Sequence, residues 1–101
     1  MLAAVVALTL LHGVVHIGPT TPVCRAGVPC SRPAAHVRLS FVHGTTRVRV
    51  TTDDVGGYRV RLAPGTWTVT SSVGMRIMPS QFVVPRTTST RRDFVIDTGI
   101  R

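Results

Sequence analysis

The chain has 101 residues, enough for one small domain with a single modest core. Hydrophobic residues make up 44% of it, which argues against a disordered chain. The formal charge is +8, from twelve Arg and four Asp, while Lys, Glu and Asn are absent and Val and Thr are abundant. Because residues that favour strands are plentiful and several that favour helices are missing, the composition predicts an all-β protein.

The first eleven residues, MLAAVVALTLL, are uniformly apolar. This run is too short to cross a bilayer and has the length of the apolar part of a signal peptide. We therefore predict a secretory leader at 1–11 and a domain at 12–101, although no Arg precedes the run and no clear cleavage site follows it. A β-strand or a short N-terminal helix packed against the domain is the alternative. A secretory leader places the mature domain outside the cytoplasm, without a membrane span.

Both cysteines, Cys24 and Cys30, lie in a Pro-rich and Gly-rich loop at 18–33. Their spacing is not that of a CxxC redox motif or of a complete metal site. The simplest interpretation is one local disulfide, which forms outside the cytosol. Free thiols and a metal site shared with His are the alternatives.

On both sides of this loop, short runs alternate between apolar and polar residues, which is the pattern of half-buried strands. Strands are predicted from 12–18 to a last one at 91–99, about seven in all, which is the number in a small β-sandwich. Turns are predicted at 43–44, 53–57 and 63–65, where Asp caps backbone amides and Gly permits positive φ. The inward positions are Val37, Leu39, Phe41, Val48, Val50, Tyr58, Val60, Leu62, Trp67, Val69, Phe94 and Ile96.

The stretch TTDDVGGYRVRLAPGTWTV, residues 51–69, joins two of these turns at a fixed spacing. It resembles the motif T-D-x-x-G-x-[FY]-x-[VF]-x-L-x-P-G-x-[YW]-x-V of carboxypeptidase regulatory-like domains, which belong with the transthyretin-like and Cna-B-like β-sandwiches. The cysteine loop and the ending IDTGIR are similar to those of a small secreted bacterial subgroup. The residues that match the motif are Thr52, Asp53, Gly56, Tyr58, Leu62, Pro64, Gly65, Trp67 and Val69.

This resemblance implies a seven-stranded, prealbumin-like Greek-key β-sandwich that is secreted or held in the cell envelope. Such domains accompany enzymes or stand alone, so the implied function is a structural role or contact with an unidentified protein or glycan. In the zinc carboxypeptidases this type of domain is the accessory part. The chain contains no Glu to serve as a zinc ligand or general base. We therefore expect no enzyme activity, no metal and no cofactor.

Two patterns of possible metal ligands are weak. His12 and His16 share a face, but the sequence nominates no further ligands for a metal there. Asp53 and Asp54, with the glycines that follow, do not supply the oxygen ligands of a calcium loop. Turn capping is the preferred interpretation of both carboxylates.

The outward positions of the alternating runs carry a set of Arg residues. If the runs on either side of 53–57 pair as a hairpin, four of these residues share one face and the fifth joins them from a neighbouring strand. One interpretation is a solvated face that reflects biased composition. The other is electrostatic binding of a polyanion, such as an acidic envelope polymer, phospholipid head groups or nucleic acid. No outward aromatic residue is predicted to stack on bases, so specific nucleic-acid recognition is not expected. The five residues are Arg38, Arg47, Arg49, Arg59 and Arg61.

Overall fold

The computed structural model describes residues 7–19 and 30–99. The described residues contain no helix and form ten strands in two sheets, so the predicted all-β class is confirmed. Most of the predicted leader, Cys24 and the last two residues of the chain lie outside this part. The strands are β1 (Thr9–Gly18), β2 (Arg32–Pro33), β3 (Arg38–His43), β4 (Thr46–Thr51), β5 (Gly57–Leu62), β6 (Gly65–Ser71), β7 (Arg76–Met78), β8 (Gln81–Val84), β9 (Ser89–Arg91) and β10 (Phe94–Asp97).

One sheet has four strands in the order β4-β3-β6-β8. The other has six strands, and the long strand β1 holds it together. The first part of β1 lies between β5, to which it is antiparallel, and β9, to which it is parallel. Its second part lies between the antiparallel β2 and the parallel β10, and β10 pairs in turn with β7.

The two sheets pack face to face through a cluster of aromatic rings. Phe41 of the four-stranded sheet contacts Tyr58 and Phe94 of the six-stranded sheet, with ring centroids 6.1 Å apart in both pairs. Phe82, also of the four-stranded sheet, meets Phe94 edge-on at 5.4 Å. All four side chains point inward and are buried, so they tie the two sheets into one core.

Trp67 is also part of this core. Only 2% of its surface is exposed, and its indole N–H donates to the Ala63 carbonyl at 2.8 Å. Val48 and Val50, which were predicted to point inward, do pack against the core but are only partly buried. Their partial exposure follows from the position of β4 at the edge of its sheet.

The two runs on either side of Asp53–Gly57 do not pair with each other. β4 pairs with β3, whereas β5 pairs with β1 in the other sheet. The Thr52 N–H donates to the Val37 carbonyl at 2.9 Å, and the Val15 N–H donates to the Gly56 carbonyl at 2.8 Å. These bonds bind the two ends of the turn to different sheets. The hairpin interpretation is therefore wrong. The apolar–polar alternation is the same whether two consecutive strands pair in one sheet or lie in facing sheets, so it does not distinguish the two arrangements.

The first strand begins at Thr9, within the range 1–11 that was predicted as a leader. Thr9 and Leu11 are each 1% exposed, and the Thr9 hydroxyl donates to the Pro85 carbonyl at 2.7 Å. The predicted domain start at His12 thus falls inside a strand, since a complete β1 needs residues 9–11. Residues 1–6 lie outside the described part, so the leader itself stays a prediction.

The run 91–99, predicted as a single strand, is interrupted at Asp93. There the carboxylate oxygen Oδ1, in place of a backbone carbonyl, accepts the Val14 N–H at 2.8 Å. Gly13 permits this approach, because a Cβ at that position would collide with the Arg92 carbonyl. The buried Tyr58 hydroxyl donates to the same Arg92 carbonyl. This interruption and the two-residue strand β2 account for part of the difference between the ten strands and the seven that were predicted.

Candidate functional site

Arg38, Arg47 and Arg49 lie together on the outer face of the four-stranded sheet, and we call these three residues the Arg face. Arg47 and Arg49 flank the inward-pointing Val48 on the edge strand β4, so both point away from the core. Arg38 lies opposite Thr51 in the register of β3 and β4, which makes it a diagonal neighbour of Arg49. Strand geometry places the Cα atoms of such neighbours about 7 Å apart. All three Arg side chains are exposed.

The side chains around the Arg face are mostly hydroxyl and amide groups, with Val42 directly opposite Arg47. Ser40 and Thr70 continue the row that begins at Arg49 on β4. Thr68 and Gln81 lie side by side on β6 and β8. Such groups donate hydrogen bonds to anionic oxygens and accept them from sugar hydroxyls. No acidic side chain lies on this sheet face, since the four Asp residues of the chain are in the turn after β4 and around β10: Asp53, Asp54, Asp93 and Asp97.

Arg59 and Arg61 lie on the outer face of the six-stranded sheet, on the opposite side of the protein from the Arg face. Tyr58, Val60 and Leu62 alternate with them along β5 and are buried in the core between the sheets. The five Arg residues therefore do not form the single face that the hairpin interpretation requires. Three lie on one side of the core and two on the other.

His12 and Arg91 lie beside Arg59, and we call these three residues the Arg59 row. In the sheet register His12 is opposite Arg59 on one side and opposite Arg91 on the other. The row lines an open concavity of about 600 Å³, which Thr51 and Asp53 also line. The sequence does not predict this grouping, because the pairing of β1 with β5 and β9 joins segments that are distant in the chain. No local pattern in the sequence signals it.

Two carboxylates near the Arg59 row have structural partners. Asp93 accepts the Val14 N–H and also the Arg91 Nε–H, the latter at 3.2 Å. The backbone N–H of Val14, chiefly, and the Arg91 guanidinium hold the pKa of Asp93 below its usual value. Asp53 accepts the Gly57 N–H at 2.8 Å within its turn. Arg91 is therefore paired with a carboxylate, as Arg76 of β7 is with Asp97 at 3.4 Å, whereas within the described residues no ion pair engages the Arg face.

Tyr58 lies beneath the concavity as a structural hydrogen-bond donor. Burial raises the pKa of its phenol far above the usual value, and the neighbouring Asp93 carboxylate raises it further. The phenol therefore stays protonated at neutral pH. Its O–H remains available for the Arg92 carbonyl and is not a general base.

The remaining residues of the 51–69 motif form turns and core. Gly56 has φ of +80°, and a Cβ there would collide with the Val15 carbonyl, so the turn requires glycine. Pro64 and Gly65 form the second turn, which returns the chain from β5 to the four-stranded sheet. Leu62 at the end of β5 is 1% exposed.

No cluster of three or more His, Cys or Asp side chains that could hold a metal ion occurs within residues 7–19 and 30–99. His12 and His16 point to the same outer side of β1, as their spacing predicts. Cys30 is half-buried, but Cys24 lies outside the described residues, so the Cys24–Cys30 disulfide stays a prediction. In this described part there is also no helix of the length and apolarity needed to cross a membrane.

Neither a family model, nor a curated protein, nor a solved structure matches the chain. The features that offer chemistry to a partner are the Arg face and the Arg59 row.

Proposed function

We propose that the chain is a non-catalytic β-sandwich module, secreted or held in the cell envelope, that binds acidic glycan polymers through the Arg face. The observation that carries this proposal is the grouping of Arg38, Arg47 and Arg49 on one sheet face without a carboxylate. Adjacent guanidinium groups whose charge is not cancelled create a positive surface potential. Placing like charges side by side costs a few tenths of a kcal/mol per pair, which binding of a polyanion offsets.

An acidic glycan suits this face better than a nucleic acid does. The chain has three Phe, one Tyr and one Trp, and all five are buried. Single-stranded nucleic acids rely on exposed aromatic rings for base stacking. The Ser, Thr and Gln side chains around the Arg face instead offer hydrogen bonds to sugar hydroxyls and to sulfate, phosphate or carboxylate oxygens.

For the fold we propose the prealbumin-like Greek-key arrangement of the carboxypeptidase regulatory-like domains. Its support is the 51–69 motif together with the path of the chain, because both turns of the motif cross between the two sheets. The turn at 53–57 leads from β4 to β5, and the turn at 63–65 leads from β5 back to β6. The absence of Glu from the sequence supports a non-catalytic role.

The proposal is tested by replacing Arg38, Arg47 and Arg49 together with Gln and measuring the binding of fluorescent dextran sulfate at low ionic strength. Exposed charge pairs contribute up to about 1 kcal/mol each, so the affinity should fall by about 10- to 100-fold. The matched control replaces Arg32, Arg76 and Arg86 with Gln, which removes the same net charge from outside the Arg face and the Arg59 row. An equal loss of affinity in both variants would contradict the proposal, because net charge alone would then set the affinity.

A single-stranded DNA with the same number of charges provides a second arm of this experiment. Because no Phe, Tyr or Trp ring is exposed, the DNA should bind no more tightly than dextran sulfate at matched ionic strength. Tighter binding of the DNA would favour a nucleic acid over an acidic glycan as the partner.

A protein partner is the second candidate, and it has its own observation. On the outer face of the six-stranded sheet, Pro33, His16, Val95 and Met78 lie in one row across four strands. Val95 is 45% and Met78 43% exposed, so this row offers apolar surface to a partner. Binding through it should persist at high salt, whereas polyanion binding weakens steeply as salt rises.

A further inference from the structure

The Arg59 row brings together three side chains that can donate hydrogen bonds to one anion. Arg59, His12 and Arg91 come from three adjacent strands and stand directly opposite one another in the register. Adjacent strands are about 4.8 Å apart, so the row spans about 10 Å between its outer Cα atoms. Arg61, two residues beyond Arg59 on the same face, lies opposite Leu10 and extends the positive surface.

The charges around this row leave it positive. Arg91 is paired with Asp93, but no ion pair engages Arg59 or Arg61 within the described residues. Asp53, which also lines the concavity, is held in its turn by the Gly57 N–H. An anion at the row would contact Arg59 directly and would compete with Asp93 for the Arg91 guanidinium.

The Arg59 row and the Arg face point in opposite directions. The residues that alternate with Arg59 on β5 and with Arg47 on β4 pack against the same core from opposite sides. A polymer segment on one sheet face reaches the other only around an edge of the sandwich, as at the end of β4, where Thr51 lines the concavity of the Arg59 row.

We infer that the Arg59 row, with Arg61, is a second binding site for acidic glycan, so that one copy of the module bridges two polymer segments. This inference rests on the proposed function of the Arg face. It adds that the module is bivalent and that its two sites are held apart by the core.

Bridging can be measured with immobilised and free dextran sulfate. Beads carrying the polymer are saturated with protein and washed, and fluorescent dextran sulfate is then added. The native chain should capture the labelled polymer on the beads. Two variants should still bind the immobilised polymer, because each keeps one of the two sites. Each should capture less labelled polymer than the native chain, by about tenfold or more. These are the Arg38, Arg47 and Arg49 to Gln variant and the Arg59→Gln/Arg61→Gln variant, each loaded to the same bead occupancy.

The control for the second variant replaces Arg32 and Arg86 with Gln, which should leave capture unchanged. Near-ultraviolet circular dichroism, which reports the packing of Trp67, verifies that every variant is folded. The second site is overturned if the native chain binds the beads without capturing label. It is also overturned if the Arg59→Gln/Arg61→Gln variant captures as much label as the native chain. In both cases the proposed function of the Arg face is unaffected. If the native chain does not bind the beads at all, the proposed function fails as well.

Discussion

The outer faces of the two sheets both carry Arg residues in the same alternating phase, yet they differ in what lies beside each guanidinium group. On the four-stranded sheet, Arg38 and Arg49 lie opposite hydroxyl side chains and Arg47 lies opposite Val42, with no Asp side chain among them. On the six-stranded sheet, Arg91 is paired with Asp93, whose carboxylate also completes the hydrogen bonding of β1. Similar strand patterns thus produce two surfaces with different electrostatics: on one, the Arg side chains have no acidic neighbour, and on the other, ion pairs also stabilise the fold.

The largest expected effect is a loss of stability when the core shared by the two sheets is disrupted. Trp67→Ala removes a ring that is 2% exposed and a hydrogen bond to Ala63, so we expect a loss of about 3–5 kcal/mol in the free energy of unfolding. Urea denaturation measures this loss. Val83→Ala, on the same sheet but 61% exposed, should change stability by less than about 0.5 kcal/mol. A soluble Trp67→Ala variant with native stability would contradict the shared core.

The next prediction compares the turn that crosses between the sheets with a turn inside one sheet. Gly56→Ala forces a Cβ against the Val15 carbonyl at φ of +80°, so it should cost more than about 2 kcal/mol. Gly44 connects β3 and β4 at φ of +59° with open space around it, so Gly44→Ala should cost only about 1 kcal/mol. Thermal unfolding followed by circular dichroism compares the two variants. Equal costs would mean that the Val15 carbonyl does not constrain the crossing turn sterically.

The smallest effect concerns the carboxylate that distinguishes the six-stranded sheet. Because folding lowers the pKa of Asp93, its contribution is present above the usual carboxyl value of about 3.9 and is lost as the pH falls through the lower folded value. Asp93→Asn keeps an oxygen that accepts the Val14 N–H but does not titrate. Below about pH 4 the variant should therefore lose stability less steeply than the native chain, as urea titrations at several pH values would measure. Identical pH dependence in both proteins would exclude this role for Asp93.

Much of the local structure follows from the sequence, and most of the long-range pairing does not. The alternation at Leu39 and Phe41, and again at Tyr58, Val60 and Leu62, correctly predicts which side chains enter the core. It does not determine which strand lies next to which, since the pattern of period two is the same whatever the partner strand. The assignment of β5 to the other sheet was therefore missed.

The Arg59 row was missed for the same reason. His12 and Arg91 become neighbours of Arg59 only through the pairing of β1 with β5 and β9. The ladder position at Val14 is filled by the Asp93 side chain, which no strand pattern encodes. The Arg face could be predicted from the sequence. Arg47 and Arg49 point outward from one strand, β4, and the short turn after His43 makes β3, which carries Arg38, the neighbour of β4.

The most direct test of the central claim is the salt dependence of dextran sulfate binding by the native chain and by the variant in which Arg38, Arg47 and Arg49 are Gln. Each Arg–anion contact contributes about 0.7 to 0.9 to the slope of log affinity against log salt, as counterions are released. If the Arg face makes the contacts, the magnitude of the slope should be smaller by about 2 to 3 in the variant. Equal slopes for the two proteins would show that the polymer binds elsewhere and would contradict the proposed function of the Arg face.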